Sequence, residues 1–135
     1  MFEFKSMEEK DARVLNPQVL AFVGDGVYSL YIRQKIVLEN RLQGKDLHLQ
    51  VINYVKAGGQ SNFIDKLLPI LNEVELSVFK RARNYKTLSQ SKNANIIDYR
   101  RATGLEALIG YLYLIGNEKR LNEILALSIG EDNEN

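Results

Sequence analysis

The stretch that most constrains this chain is Asn16-Pro-Gln-Val-Leu-Ala-Phe-Val-Gly-Asp-Gly-Val-Tyr-Ser-Leu-Tyr31, an apolar run with one carboxylate, Asp25, in its middle. Asn16 followed by Pro17 is a helix start, because the Asn side chain can accept from free N–H groups of the first turn and proline's fixed φ suits the first helical position. The helix is predicted to run to about Asn40. Helical spacing groups Leu20, Val23, Val27 and Leu30 on one apolar face, and Gln18, Ala21, Asp25 and Ser29 on the face opposite. Asp25 is expected to be buried. The flanking Gly24 and Gly26 each cost about 1 kcal/mol relative to alanine in a helix interior, which points to a close approach of another backbone.

The rest of the chain reads as further helices. Gln43-Gly44-Lys45 forms a turn, and Asp46 caps a helix over Leu47–Ala57 that ends at Gly58-Gly59. Ser61–Leu68 carries Phe63, Ile64, Leu67 and Leu68 on a helical period until Pro69 breaks it. Asn72-Glu-Val-Glu75 is a capping box opening a helix into Lys80-Arg-Ala-Arg-Asn84. Tyr85–Asn95 has too few apolar residues for a core element and reads as a loop. A second long helix follows from about Ile96 to Ile115, with Leu108, Tyr111, Leu112 and Ile115 as its core face and Tyr99, Ala102, Thr103, Glu106 and Gly110 opposite. Asn117 caps a last helix that packs through Leu121, Ile124, Leu125 and Leu127 and stops at Gly130, leaving 131–135 as a frayed acidic tail. No segment alternates with the period of a strand. The predicted class is all-α, in one domain over 1–135 with its core at about 15–130.

Composition narrows the chemistry. A chain of 135 residues can bury roughly two-thirds of its unfolded surface without metal or disulfide support. Cysteine is absent and His48 is the one histidine, which excludes thiolate zinc sites, cysteine nucleophiles and imidazole-rich metal sites. His48 itself, in a first helical turn, reads as a surface or capping residue. Any metal would be a hard, oxygen-liking ion such as Mg²⁺ or Mn²⁺. The amino terminus lacks the pattern of a signal peptide, and no apolar stretch reaches the roughly 18–20 residues of a membrane span, so a cytoplasmic protein is expected. Net charge is only +1, yet Lys80, Arg81, Arg83, Lys86, Lys92, Arg100 and Arg101 face one acid, Asp98, within a single segment. That segment carries +6 and the remainder −5, an asymmetry that suits a polyanion, although cations at a helix C-terminus also answer the helix dipole.

Asp25 and Glu106 are each a lone carboxylate within an apolar helix. If the two helices cross, the acids can converge, and two anions side by side must be protonated, paired with a cation or ligated to a metal. A divalent ion shared between them would activate water for attack on a phosphoryl group delivered by the basic segment.

These residues also carry a family resemblance. Phe22-Val-Gly-Asp-Gly-Val27 resembles the signature helix of ribonuclease III, and Thr103-Gly-Leu-Glu-Ala-Leu-Ile-Gly110 resembles that family's second acidic motif. Their order and separation are similar to the compact subgroup called Mini-ribonuclease 3, which has the catalytic domain and no separate double-stranded-RNA-binding domain. The likeness spans roughly Leu15 to Leu127, including Arg81-Ala-Arg-Asn84 and Tyr99-Arg100. It implies an Mg²⁺-dependent endonuclease, Mn²⁺ substituting, that hydrolyses both strands of an RNA duplex to leave 5′-phosphates. The implied substrate is the large-subunit (23S) ribosomal RNA precursor, and the implied assembly is a homodimer whose twofold addresses both strands, with Phe22 and Tyr31 as interface candidates. Asp25 and Glu106 become the catalytic metal ligands. Lys80, Arg81, Arg83, Asn84, Lys86, Lys92, Arg100 and Arg101 become the RNA-contacting set, about half of them expected to touch RNA, with the loop around Thr87–Asn95 reaching a groove. The sequence departs from full-length ribonuclease III at Gln18, Ala21 and Thr103, where that family carries acids. Rival readings are an inactive RNA-binding relative serving ribosome assembly and a helical scaffold for a protein partner.

Overall fold

The computed structural model describes residues 2–39, 47–52, 61–85 and 96–130, and every regular element among them is helical. In chain order these are α1 (Glu9–Arg13), α2 (Pro17–Glu39), a helical stretch at 47–52, α3 (Ser61–Leu67) running into a 3₁₀ turn at Leu68–Ile70, α4 (Glu73–Arg83), α5 (Ile96–Leu114) and α6 (Glu118–Ser128). The expected turn at 43–45, the cap at Asp46, the end of the second helix at 53–59, the loop at 86–95 and the tail at 131–135 lie outside the described residues.

Local signals place most boundaries. The Asn16 side chain accepts from the Gln18 N–H at 2.8 Å and starts α2. At α4 the capping box is complete: Asn72 accepts from the Glu75 N–H at 2.8 Å, while the Glu75 carboxylate accepts from the Asn72 N–H at 3.0 Å. Asn117 caps α6 through the Arg120 N–H.

The centre of the fold is α5, buried from Gly104 to Leu112 at every position except half-buried Glu106. A helix apolar all round needs neighbours all round, and α2, α4 and α6 supply them. The face assignments therefore need correction. On α5, Gly110 is buried rather than opposite the core. On α2 the buried ridge is Leu20, Gly24, Tyr28, Ile32 and Ile36, whereas Val23 and Val27 are half-buried and Leu30 is exposed. The ridge turns there because glycine lets two backbones meet. A β-carbon on Gly24 would stand 1.7 Å from the Glu106 carbonyl oxygen, and one on Gly110 would stand 2.0 Å from that of Leu20. Gly24 thus answers the expected close approach, but Gly26 does not, since a β-carbon there meets nothing within 4 Å. Leu20 pairs with the later part of α5 and Gly24 with the earlier, so α2 and α5 cross antiparallel.

A buried charge that the sequence reading did not anticipate locks α4 to α6. Glu75, 3 % exposed, takes a bidentate pair from Arg120, with Nε and Nη2 each at 2.8 Å. Arg120 also donates to the Ile70 carbonyl at 2.7 Å and to Glu123 at 3.0 Å. Burial pushes the Glu75 carboxyl up, yet the hydrogen bonds from Arg120 and from the Asn72 backbone, with the Arg120 charge, outweigh it and hold the group below its ordinary value.

Candidate active site

Asp25 and Glu106 come together at the α2–α5 crossing, where the glycine contacts bring the Glu106 backbone against Gly24. Their carboxyl groups are close enough that Asp25 disfavours ionisation of Glu106. Glu106 is half-buried, but Asp25 is exposed, contrary to the expectation of burial. Asp25 follows the buried ridge by one position, so it flanks the helix contact instead of lying beneath it. Burial, then the charge of Asp25, pushes the Glu106 carboxyl up to about 8. At neutral pH Glu106 therefore retains its proton at the edge of solvent. A divalent cation could take that proton's place.

The donor set fits a hard ion that retains part of its water shell. Among the described residues no three His, Cys, Asp or Glu side chains gather closely enough to hold a metal, so the protein offers these two carboxylates and an open solvent side. Gln18 is exposed and Ala21 half-buried on the same flank of α2. Thr103, one turn before Glu106, donates its hydroxyl to the Tyr99 carbonyl at 3.0 Å. Its oxygen keeps acceptor capacity while that hydrogen bond fixes its direction.

The expected basic set divides. Lys80 is exposed on α4. Arg81 instead serves the fold, since its Nη1 donates to the carbonyls of Arg13 and Leu15, both at 2.7 Å, and pins the α1–α2 junction to α4. Arg83 lies over the Phe79 ring at 6.0 Å and donates to the Asn84 side chain at 3.2 Å, with Asn84 exposed as the C-cap of α4. Arg101 pairs with Asp65 at 2.5 Å. Arg100 is half-buried, and its Nε has no hydrogen-bond partner among the described residues. Lys86, Lys92 and Thr87–Asn95 lie outside the described residues. Tyr85, at the start of the expected loop, is half-buried and accepts from the Asn16 side chain at 3.2 Å.

An apolar surface adjoins the pair. Phe22 is 79 % exposed, and with Phe2, Val23, Gly26, Leu30 and Tyr113 it lines a recess of about 350 Å³ that also includes Asp25.

The chain is similar to known proteins over most of its length. The ribonuclease III domain profile matches residues 18–117, which includes both carboxylates and the crossing glycines. The chain is 48 % identical to the Mini-ribonuclease 3 of Clostridium tetani (strain Massachusetts / E88) over 90 % of its own length and 81 % of that protein's. With the Mini-ribonuclease 3 of Brevibacillus brevis it shares 48 % identity over 86 % and 87 % of the two chains. For that of Streptococcus pneumoniae the identity is 37 % over 88 % and 94 %. A crystal structure of a Fusobacterium nucleatum protein superposes with a TM-score of 0.75 at 33 % identity, covering 88 % of this chain and 95 % of that one. With the signature helix and the second acidic motif meeting in one all-helical domain, the chain belongs to the ribonuclease III family, within its Mini-ribonuclease 3 group.

Proposed function

We propose that this chain is an Mg²⁺-dependent endoribonuclease specific for double-stranded RNA, acting as a homodimer on the precursor of large-subunit ribosomal RNA. The observation that carries the reading is the convergence of Asp25 and Glu106 at a solvent-facing helix crossing, where burial and the neighbouring acid raise the Glu106 carboxyl. The names of the relatives support ribonuclease activity, and the family match supports a duplex substrate. Among the described residues no helix is long and apolar enough to cross a membrane, which agrees with a cytoplasmic site of action.

In this reading Asp25 and Glu106 would hold Mg²⁺ or Mn²⁺, and as a ligand Glu106 would have to be ionised. When bound, the ion supplies an acidified water and compensates charge on the phosphoryl group. The rigid Gly24–Gly110 contact keeps both carboxylates in register with a substrate phosphate. Water adds to phosphorus, the bond to the 3′ oxygen breaks, and that oxygen leaves with a proton, so the products are a 5′-phosphate and a 3′-hydroxyl. Lys80, Arg83, Asn84, Lys86, Lys92 and Arg100 are the candidate contacts to the RNA backbone, while Arg81 and Arg101 are committed to the fold. The exposed Phe22 and the recess beside it support a dimer interface close to the carboxylates, with half-buried Tyr31 further along α2. Two such sites about a twofold axis can cut both strands of one duplex.

The test is to incubate a long labelled RNA duplex and its separate single strands with the protein, with Mg²⁺ or with chelator, and to identify the product ends. Cleavage of duplex alone, dependent on the ion and yielding 5′-phosphates, is the expected result. Duplex binding without cleavage in Mg²⁺ or Mn²⁺ would replace it with the non-catalytic RNA-binding reading. The presence of Thr103 and Ala21 where related enzymes carry acids is the observation that favours that rival.

A further inference from the structure

The buried ridge of α2, Leu20, Gly24, Tyr28, Ile32 and Ile36, is followed position by position by a flanking ridge, Ala21, Asp25, Ser29, Arg33 and Val37. Arg33 therefore lies on the flank that carries Asp25, two positions further along the ridge. At 1.5 Å per residue, it stands about 12 Å along the helix from Asp25, with the Ser29 hydroxyl between them. Because α2 and α5 cross antiparallel, this ridge runs toward the N-terminal end of α5, where exposed Tyr99 and half-buried Arg100 lie. Arg33 is exposed, and it makes no hydrogen bond or ion pair with any described residue. It shares the wall of a recess of about 300 Å³ with His48, an exposed imidazole from the helical stretch at 47–52. A cation with no partner among the described residues, beside a second nitrogen donor and in line with the acidic pair, is placed to take an anion on that track.

Resting on the duplex-RNA reading above, we propose that Arg33 is a substrate-binding residue that holds a backbone phosphate of the strand being cut. A strand whose scissile phosphate sits at Asp25 and Glu106, and which follows the flank of α2, brings its following phosphates past Ser29 and onto the guanidinium. The planar fork of arginine donates to two phosphate oxygens at once, and lysine would supply the charge without that geometry. This contact lies outside the basic segment 80–101, and it gives the strand an anchor on the helix that also carries Asp25.

The experiment measures binding of a fluorescently labelled RNA duplex to Glu106→Gln protein, with and without Arg33→Ala or Arg33→Lys, across a range of salt. Loss of one phosphate contact weakens binding about tenfold at low salt and makes the slope of log affinity against log salt shallower by about one, while Arg33→Lys retains the slope. With the wild-type carboxylates, Arg33→Ala should raise KM for duplex cleavage while kcat holds. Matched thermal melts establish that the variants fold. Unchanged affinity and slope in Arg33→Ala, with the parent binding duplex, overturns the assignment of Arg33 alone. If the parent binds no duplex, the RNA reading itself fails and Arg33 goes with it.

Discussion

Glu106 is the residue whose environment says most. Its carboxyl is raised from an ordinary 4.5 to about 8 by burial and by Asp25, so the folded chain binds that proton more tightly than the unfolded chain does. The stability this provides is fully present below about 4.5 and is lost as pH rises through about 8. Glu75 works in the opposite sense: its depressed carboxyl stabilises the fold above about 4.5, and that contribution is lost as pH falls. In the presence of chelator, the melting temperature should therefore decline between about pH 5 and pH 8, and Glu106→Gln should abolish the decline. Because the ligand must shed its proton, apparent Mg²⁺ affinity should strengthen about tenfold per pH unit up to about pH 8. Thermal melts over that range, with chelator and with Mg²⁺, check both statements, and a flat profile for the wild type would contradict them. The sequence named both carboxylates because each stood alone in an apolar helix. It misjudged Asp25 as buried because a helical wheel cannot tell a contact ridge from the position beside it.

At the scale of helices, the crossing of α2 and α5 positions the pair, and it depends on two glycines that face each other's backbones. The atoms a new β-carbon would meet are backbone carbonyls, which cannot turn aside like the end of a side chain. Gly24→Ala or Gly110→Ala should therefore push the helices apart at a cost of about 1–3 kcal/mol or more, with loss of duplex cleavage as Asp25 and Glu106 separate. Gly26→Ala is the control: its β-carbon enters open space, and alanine is the better helix former by about 1 kcal/mol, so stability should hold or rise. Melting curves of the three variants separate these outcomes, and equal losses at all three positions would refute the crossing geometry. Helix existence and caps were legible because Asn16-Pro17, the Asn72–Glu75 box and Asn117 act locally. The facing of α2 was not, because the ridge is set by a partner helix far along the chain. Nor was the Glu75–Arg120 lock, whose partners lie 45 residues apart and look in sequence like a helix-capping acid and an ordinary surface cation.

For the whole molecule, a chain with a net charge of only +1 separates its tasks in space. Some cations of the basic segment hold helices together: Arg81 through the carbonyls of Arg13 and Leu15, and Arg101 through Asp65. A charge count cannot show this division, and it also passed over Arg33, which lies outside the cluster. The proposed active site occupies the solvent edge of a helix crossing, beside an apolar surface proposed to meet a second copy and a flank proposed to meet a phosphate backbone. The measurement that tests this account most directly is gel analysis of a labelled RNA duplex with Mg²⁺, comparing wild type with Asp25→Asn and Glu106→Gln. Cleavage by wild type alone, with rates in both variants lower by at least about a hundredfold while they remain folded and bind duplex, is the predicted result. If either variant cuts as fast as wild type, the carboxylate pair is not the catalytic centre.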